Sequence, residues 1–132
     1  METKKTDMWK TPSWLYRMLV GSPHSLNSLM DRTLLSKDGI DWLQPNVSWE
    51  QNSFVNPPYS DPLPFVLKGI EQHKKNNITV VFLLKVDTTT KWYKALVEAN
   101  AHFLYFAERL HYSDSKESPP FSSMLAILSA KV

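Results

Sequence analysis

The sequence predicts an α/β domain with a mainly parallel sheet and an antiparallel hairpin at its C-terminal end. Three observations carry that expectation. From Phe54 onward, short strand-like apolar runs alternate with amphipathic helical segments, the order that crossover helices on a parallel sheet produce. Residues 78–84 form an apolar run rich in β-branched side chains, the look of a central strand covered on both faces. Two further runs near the end are separated by a polar, proline-containing stretch, which suggests a pair of antiparallel strands.

Taken in order, residues 1–8 read as a polar tail, followed by one domain over residues 9–132. Thr11-Pro12 opens a helix: threonine can cap, proline suits the first helical position, and Gly21 closes it. Trp14, Leu15, Met18 and Leu19 fall on one face of that helix, and Trp14 is assigned to the core. Residues 22–51 are the least regular, with a short strand expected at 25–29 and a turn at Asp38-Gly39. Trp42 and Trp49 anchor this segment to the core.

Residues 53–55 read as the end of a strand stopped by Asn56-Pro57-Pro58. Asp61-Pro62 then begins a helix with Phe65, Val66 and Ile70 inward, ending near Lys75, and Asn76-Asn77 turns the chain into the 78–84 strand. Asp87-Thr88-Thr89-Thr90 caps a helix reaching about Ala99, with Trp92, Leu96 and Val97 apolar. Residues 102–106 form the next strand. Residues 109–112 and 124–128 are expected to pair as the hairpin across 113–122.

Composition limits the chemistry. The chain has 132 residues and no cysteine, which removes disulfides, thiolate metal sites and a cysteine nucleophile. Methylation at cytosine C5 through a covalent thiol adduct is therefore closed to it. A net charge of +2 and the absence of a dense Lys/Arg run do not announce a nucleic-acid binder. His24, His73, His102 and His111 lack metal-ligand spacing, so no metal is expected. No apolar run reaches the roughly 20 residues that span a bilayer; a soluble cytoplasmic protein is the expectation.

The candidate site is Asn56-Pro57-Pro58-Tyr59. An exocyclic amine conjugated with a purine ring is a poor nucleophile, so a methyl-transferring site must hold it with hydrogen-bond acceptors in line with the donor. The Asn56 side-chain carbonyl and the Pro57 backbone carbonyl are such acceptors, and two prolines fix the direction of that backbone. The Tyr59 ring can stack on a base that has left its duplex. The same four residues can also be a rigid turn. Their place after a strand and before a helix favours a site, because α/β sheets bind ligands at the carboxyl ends of their strands.

With these residues in view, the chain resembles the phage N6-adenine (Dam-type) DNA methyltransferases. The resemblance includes Asn56-Pro57-Pro58-Tyr59-Ser60 and Trp9-Lys10-Thr11-Pro12 with Leu15 following. It includes Asp38-Gly39-Ile40 with Trp42, and the block Leu83-Leu84-Lys85-Val86-Asp87-Thr88-Thr89-Thr90-Lys91-Trp92-Tyr93. Near the end come Arg109-Leu110 and Pro120-Phe121-Ser122-Ser123-Met124-Leu125. Together they run in the same order over about residues 7–129. The resemblance implies a compact Rossmann-like methyltransferase fold, S-adenosylmethionine as donor and adenine in DNA as acceptor. It places Trp9, Thr11 and Pro12 near the donor. Ser60, Asp87, Thr88, Lys91 and Trp92 would line the other side of the pocket or the DNA approach.

The sequence departs from that pattern in its donor half. It has only Gly21, Gly39 and Gly69, none in a Gly-x-Gly loop, and the span between first helix and motif is about one βαβ unit. The donor-binding half is thus reduced. Asn27 stands where the family carries an acidic residue, leaving Asp31 or Asp38 to take that role, and Lys85 replaces the family's proline. A methyltransferase-like binding module without catalysis, engaging DNA or a host or phage protein, is the alternative reading. Related motifs also serve methylation of RNA and of protein glutamine amides. A protein partner or second copy completing the site is a further expectation.

Overall fold

The computed structural model describes residues 11–20, 29–32, 41–107, 110 and 121–131. Among these, the elements follow the chain as α1 (Ser13–Leu19), β1 (Met30–Asp31), β2 (Ser53–Val55), α2 (Leu63–Asn76), β3 (Val80–Lys85), α3 (Lys91–Glu98), β4 (His102–Tyr105) and β5 (Ser123–Leu128). The strands make one mixed sheet in the order β1-β2-β3-β5-β4. β1, β2 and β3 are parallel, whereas β5 is antiparallel to both β3 and β4. The sheet is therefore mixed rather than mainly parallel in its pairing, because the reversed β5 lies between two strands that share one direction.

The expected hairpin is corrected in its partner. β5 pairs not with residues 109–112 but with β4, from Tyr105↔Met124 to His102↔Ile127, while its other edge pairs with β3. Burial explains this choice. β5 is almost wholly buried, so its backbone polar groups need strands on both sides. In β4, His102, Leu104 and Tyr105 are exposed, which suits an edge. Leu110 is buried outside any strand; the rest of 109–112 and residues 25–28 of the expected 25–29 strand lie outside the described residues. Leu29 forms an isolated parallel bridge with Val20 just before β1.

Strand alternation divides the core into two clusters, one on each face of the sheet. Val55, Val80, Phe82, Leu84, Met124, Ala126 and Leu128 meet Phe65 and Val66 of α2 and Trp92 and Leu96 of α3. Phe54, Val81, Leu83 and Leu125 meet Leu15 and Leu19 of α1. The i, i+4 pair Leu15 and Leu19 makes the inner stripe of α1. Trp14 and Met18 lie one residue round the helix and are 47% and 42% exposed, so the four do not share a buried face and the assignment of Trp14 to the core is corrected.

The irregular 41–49 segment is held to α2 by polar contacts as well as by its two buried tryptophans. Gln72 Oε1 accepts from the Trp49 backbone N–H at 2.8 Å, and Asn76 Nδ2 donates to the Trp49 carbonyl at 2.8 Å. Lys68 Nζ donates to the Gln44 carbonyl at 3.1 Å. Arg32, which the sequence reading did not single out, is 2% exposed beneath this segment. Its guanidinium lies 3.9 Å from the centre of the Trp42 ring, and its Nε donates to Ser53 Oγ at 3.2 Å. Among the described residues its neighbours are rings and a hydroxyl; the ring face supplies part of the attraction a carboxylate would otherwise give. Burial pulls the guanidinium below its ordinary pKa.

Helix ends follow local chemistry. α2 begins with Pro62 at its N-cap, one residue beyond the expected Asp61, and stops at Asn77, whose φ of 50° leaves the helical region. Of the Asp87-to-Thr90 stretch expected to cap α3, Thr90 does so, its Oγ1 accepting from the Tyr93 N–H at 3.3 Å.

Gly69 sets how closely α2 approaches the sheet. A Cβ built there would lie 2.4 Å from Phe82 Cζ, and Phe82 is fully buried. Alanine in a helix ordinarily gains about 1 kcal/mol over glycine, but overpacking costs about 1–3 kcal/mol. Gly69→Ala is expected to lower the urea midpoint of unfolding; a raised midpoint would show that the packing has slack.

Candidate active site

The motif's position follows from how β2 ends. Ser53, Phe54 and Val55 are fully buried and paired with β3, and Ser53 and Phe54 also with β1. Pro57 has no N–H with which to extend the ladder, so the chain leaves the sheet at Asn56. The turn closes with the Asp61 N–H donating to the Pro58 carbonyl at 3.3 Å, and α2 follows. Asn56 is only 4% exposed. The motif thus stands at the carboxyl end of β2, between strand and helix as the sequence indicated.

The Asn56 amide is tied to a residue far away in sequence. Its Nδ2 donates to Thr11 Oγ1 at 3.0 Å. Thr11 was expected to cap α1, but Pro12 holds the N-cap position and no side chain caps that helix. The Thr11 hydroxyl is used on the motif instead. Pro12, whose carbonyl accepts from the Tyr16 N–H at 2.9 Å, is buried beside it in sequence and starts α1.

Tyr59 points into the α1-face cluster. Its ring lies 4.8 Å from that of Phe121 at an interplanar angle of 57°. Ser60 follows, half-buried. Asp31 pairs in register with Phe54, two residues before Asn56. Its charge reaches Tyr16 on α1: the phenol is pushed above its ordinary pKa first by burial and then by the Asp31 carboxylate. Tyr16 was missed in the sequence, where only its four-residue spacing from Pro12 marked it as sharing that end of α1. Phe121 was visible only as part of the Pro120-to-Leu125 resemblance.

Thr11, Pro12, Asp31, Asn56, Pro57, Pro58 and Tyr59 therefore gather at one sheet edge, on the α1 side. The turn after β3 lies at the same edge. There Asp87 Oδ1 accepts from the Thr89 N–H at 3.1 Å and from its hydroxyl at 2.6 Å, and Lys85 Nζ stands 3.9 Å from the carboxylate. Thr88 and Lys91 are exposed. Trp92 is 5% exposed and is taken up by the core cluster on the α2–α3 face, away from Tyr59. Trp9 and Asp38 lie outside the described residues.

At the opposite edge of the sheet, a groove of about 810 Å³ is lined by His73, Lys74, Asn77, Glu98, His102 and Lys131 among others. It contains no motif residue, and the cations there complement the C-terminal end of α2. Among the described residues, no group of three or more His, Asp or Glu side chains is placed to hold a metal ion, and no helix is long and apolar enough to cross a membrane.

The bonds from Thr89 hold the Asp87 carboxyl below its ordinary pKa, with Lys85 adding a smaller effect in the same direction. A depressed carboxylate supports the fold above its unfolded-chain pKa, and that support is lost as pH falls through the folded value. The carbon-13 resonance of the Asp87 carboxyl is expected to titrate below the midpoint of an unfolded-chain aspartate. A midpoint at or above it would contradict the Thr89 bonds.

Comparison with known proteins agrees with the family resemblance. The family described as DNA N-6-adenine-methyltransferase (Dam) matches residues 1–127. The DNA N-6-adenine-methyltransferase of Haemophilus phage HP1 (strain HP1c1) is 34% identical over 115 residues, covering 78% of this chain and 65% of that protein. The chain thus spans somewhat under two thirds of that relative's length. No solved structure matches it at a significant level.

Proposed function

The chain belongs to the DNA N-6-adenine-methyltransferase (Dam) family, and on that footing we propose that it transfers a methyl group from S-adenosylmethionine to the N6 amine of adenine in DNA. The observation that carries this reading is Asn56: a buried amide at the carboxyl end of β2, held through Nδ2 by Thr11. A rigid turn has no use for a buried, anchored asparagine at this point. An acceptor for an amine does.

Asn56 Oδ1 and the Pro57 carbonyl accept the two N–H bonds of the adenine amine. Both acceptors are neutral, so they hold the amine and favour a pyramidal nitrogen without removing its proton beforehand. The gain is one of position and electrostatics. Tyr59, with the Phe121 ring beside it, offers an aromatic face for the extruded base. Extrusion costs a few kcal/mol of unstacking, and stacking on Tyr59 offsets part of that.

The chemistry of the neighbouring side chains fits a methyl donor. The Asp31 carboxylate can accept from ribose or amino groups, Tyr16 offers a phenol beside it, and Thr11 and Pro12 border the same edge. S-adenosylmethionine, when bound, would supply an electrophilic methyl carbon; Asp31, Tyr16 and Pro12 would bind and orient it, while the Thr11 hydroxyl is engaged by Asn56. The shared strand direction of β1, β2, β3 and β4, with the motif at the carboxyl edge, supports a Rossmann-like methyltransferase fold with a shortened donor half. Ser60, Asp87, Thr88 and Lys91 are the residues we assign to the DNA approach. Trp9 and Asp38 keep their place in the proposal by resemblance.

The test is product identity. Unmethylated duplex DNA of mixed sequence is incubated with methyl-labelled donor, then digested to nucleosides. Label is expected in N6-methyldeoxyadenosine, and Asn56→Ala is expected to lower the rate about 100-fold or more, the size of losing a positioned acceptor. Label in another nucleoside would overturn the acceptor assignment. No transfer, with donor and DNA both bound, would leave a binding module in its place.

A further inference from the structure

We propose that Thr11 is the positioning residue for the acceptor amide of Asn56, so that the start of α1 sets the geometry of the adenine pocket. This rests on the reading that Asn56 holds the target amine. The two residues are 45 positions apart, yet Nδ2 and Oγ1 meet at 3.0 Å.

An unrestrained asparagine does not hold its amide in one orientation. The torsion that turns its amide plane is broad and roughly twofold. The plane therefore swings, and its oxygen and nitrogen can exchange places. An adenine amine needs a hydrogen-bond acceptor in a fixed direction, and an amide nitrogen presented there would set donor against donor. Burial adds a second constraint, since at 4% exposure the Asn56 amide has little water to bond with. Thr11 meets the second need and narrows the first: it holds one end of the amide plane, here Nδ2, so that the other end faces away from it.

A threonine hydroxyl both donates and accepts. Thr11 therefore fixes where the amide sits, and the incoming amine, itself a donor, selects the orientation with Oδ1 toward it. The hydroxyl is free for this work because α1 does not use it: the helix starts from Pro12 with no side-chain cap. Pro12 in turn limits the backbone freedom of Thr11. The helix that closes the α1 face thereby carries a structural link to the reacting end of the motif.

The experiment compares wild type, Thr11→Val, Thr11→Ser and Asn56→Ala, with Thr11→Val also made in the Asn56→Ala background. Valine keeps the shape and removes the oxygen. Thr11→Val is expected to lower kcat for methyl transfer roughly 10- to 100-fold, the scale of a misplaced reacting group, with affinity for S-adenosylhomocysteine changed less than about twofold, which marks loss of positioning rather than of binding. Serine is expected to restore kcat to within about threefold of wild type, since it keeps the hydroxyl. In the Asn56→Ala background, Thr11→Val is expected to add no further loss, because the two residues act as one unit. An unchanged kcat, an equal loss in the Asn56→Ala background, or a loss confined to donor affinity would overturn the proposal.

A readout independent of activity is the exchange of the Asn56 side-chain amide protons in nitrogen-15 spectra. Thr11→Val is expected to speed it by about tenfold or more, because a hydrogen-bonded amide exchanges only on local opening. If wild type transfers no methyl group to adenine, the proposed function fails. The exchange still decides Thr11: faster exchange in Thr11→Val supports the link, and unchanged exchange removes it.

Discussion

The end of β2 is the constraint on which the rest of this structure depends. Three fully buried residues commit the strand to the middle of the sheet, and two prolines forbid it to continue. Asn56 is left at the boundary, almost without solvent and with a polar side chain that needs a partner. Thr11 is that partner. Meeting the need brings the start of α1, and with it Tyr16, to the carboxyl edge of the sheet, where pairing of β1 with β2 places Asp31. One hydrogen bond between distant parts of the chain thus accompanies the assembly of the whole candidate site.

The two faces of the sheet divide the work. On the α2–α3 face, Trp42, Trp49 and Trp92 fill the core, and the Gln72 and Asn76 side chains secure an irregular segment that has no ladder of its own. Arg32 belongs to that face, held by the Trp42 ring and a serine hydroxyl. On the α1 face, the cluster around Leu15, Leu19 and Phe54 carries Tyr59 and Phe121 at its margin. A rigid face and a face that ends in aromatic and polar groups is a sensible arrangement for a site built on a sheet edge.

Much of this was legible in the sequence, for identifiable reasons. The 78–84 run announced β3 because a strand covered on both faces has no polar alternation. The Asp87-to-Thr90 stretch announced the start of α3 because capping is local chemistry. The motif announced the end of β2 because proline cannot extend a ladder. What was not legible depends on tertiary choice. The partner of β5 turned on which strand could tolerate an exposed edge, a comparison among distant segments. Trp14 was read as core from its size, yet its neighbour Leu15 sets the buried stripe. Thr11 was read as a cap because local rules speak of the helix that follows, not of an amide arriving from residue 56. Arg32 and Tyr16 carried no local signal, since a buried guanidinium or phenol is defined by what folds over it.

In the proposed function, donor and base meet at one edge of the sheet, on the α1 side. Backbone amide spectra recorded during a titration with S-adenosylhomocysteine test it most directly. The account predicts shifts at Tyr16, Asp31, Asn56 and Ser60, with His73, Lys74, His102 and Lys131 at the opposite edge unmoved. Shifts confined to that opposite groove, with the motif residues unchanged, would contradict it.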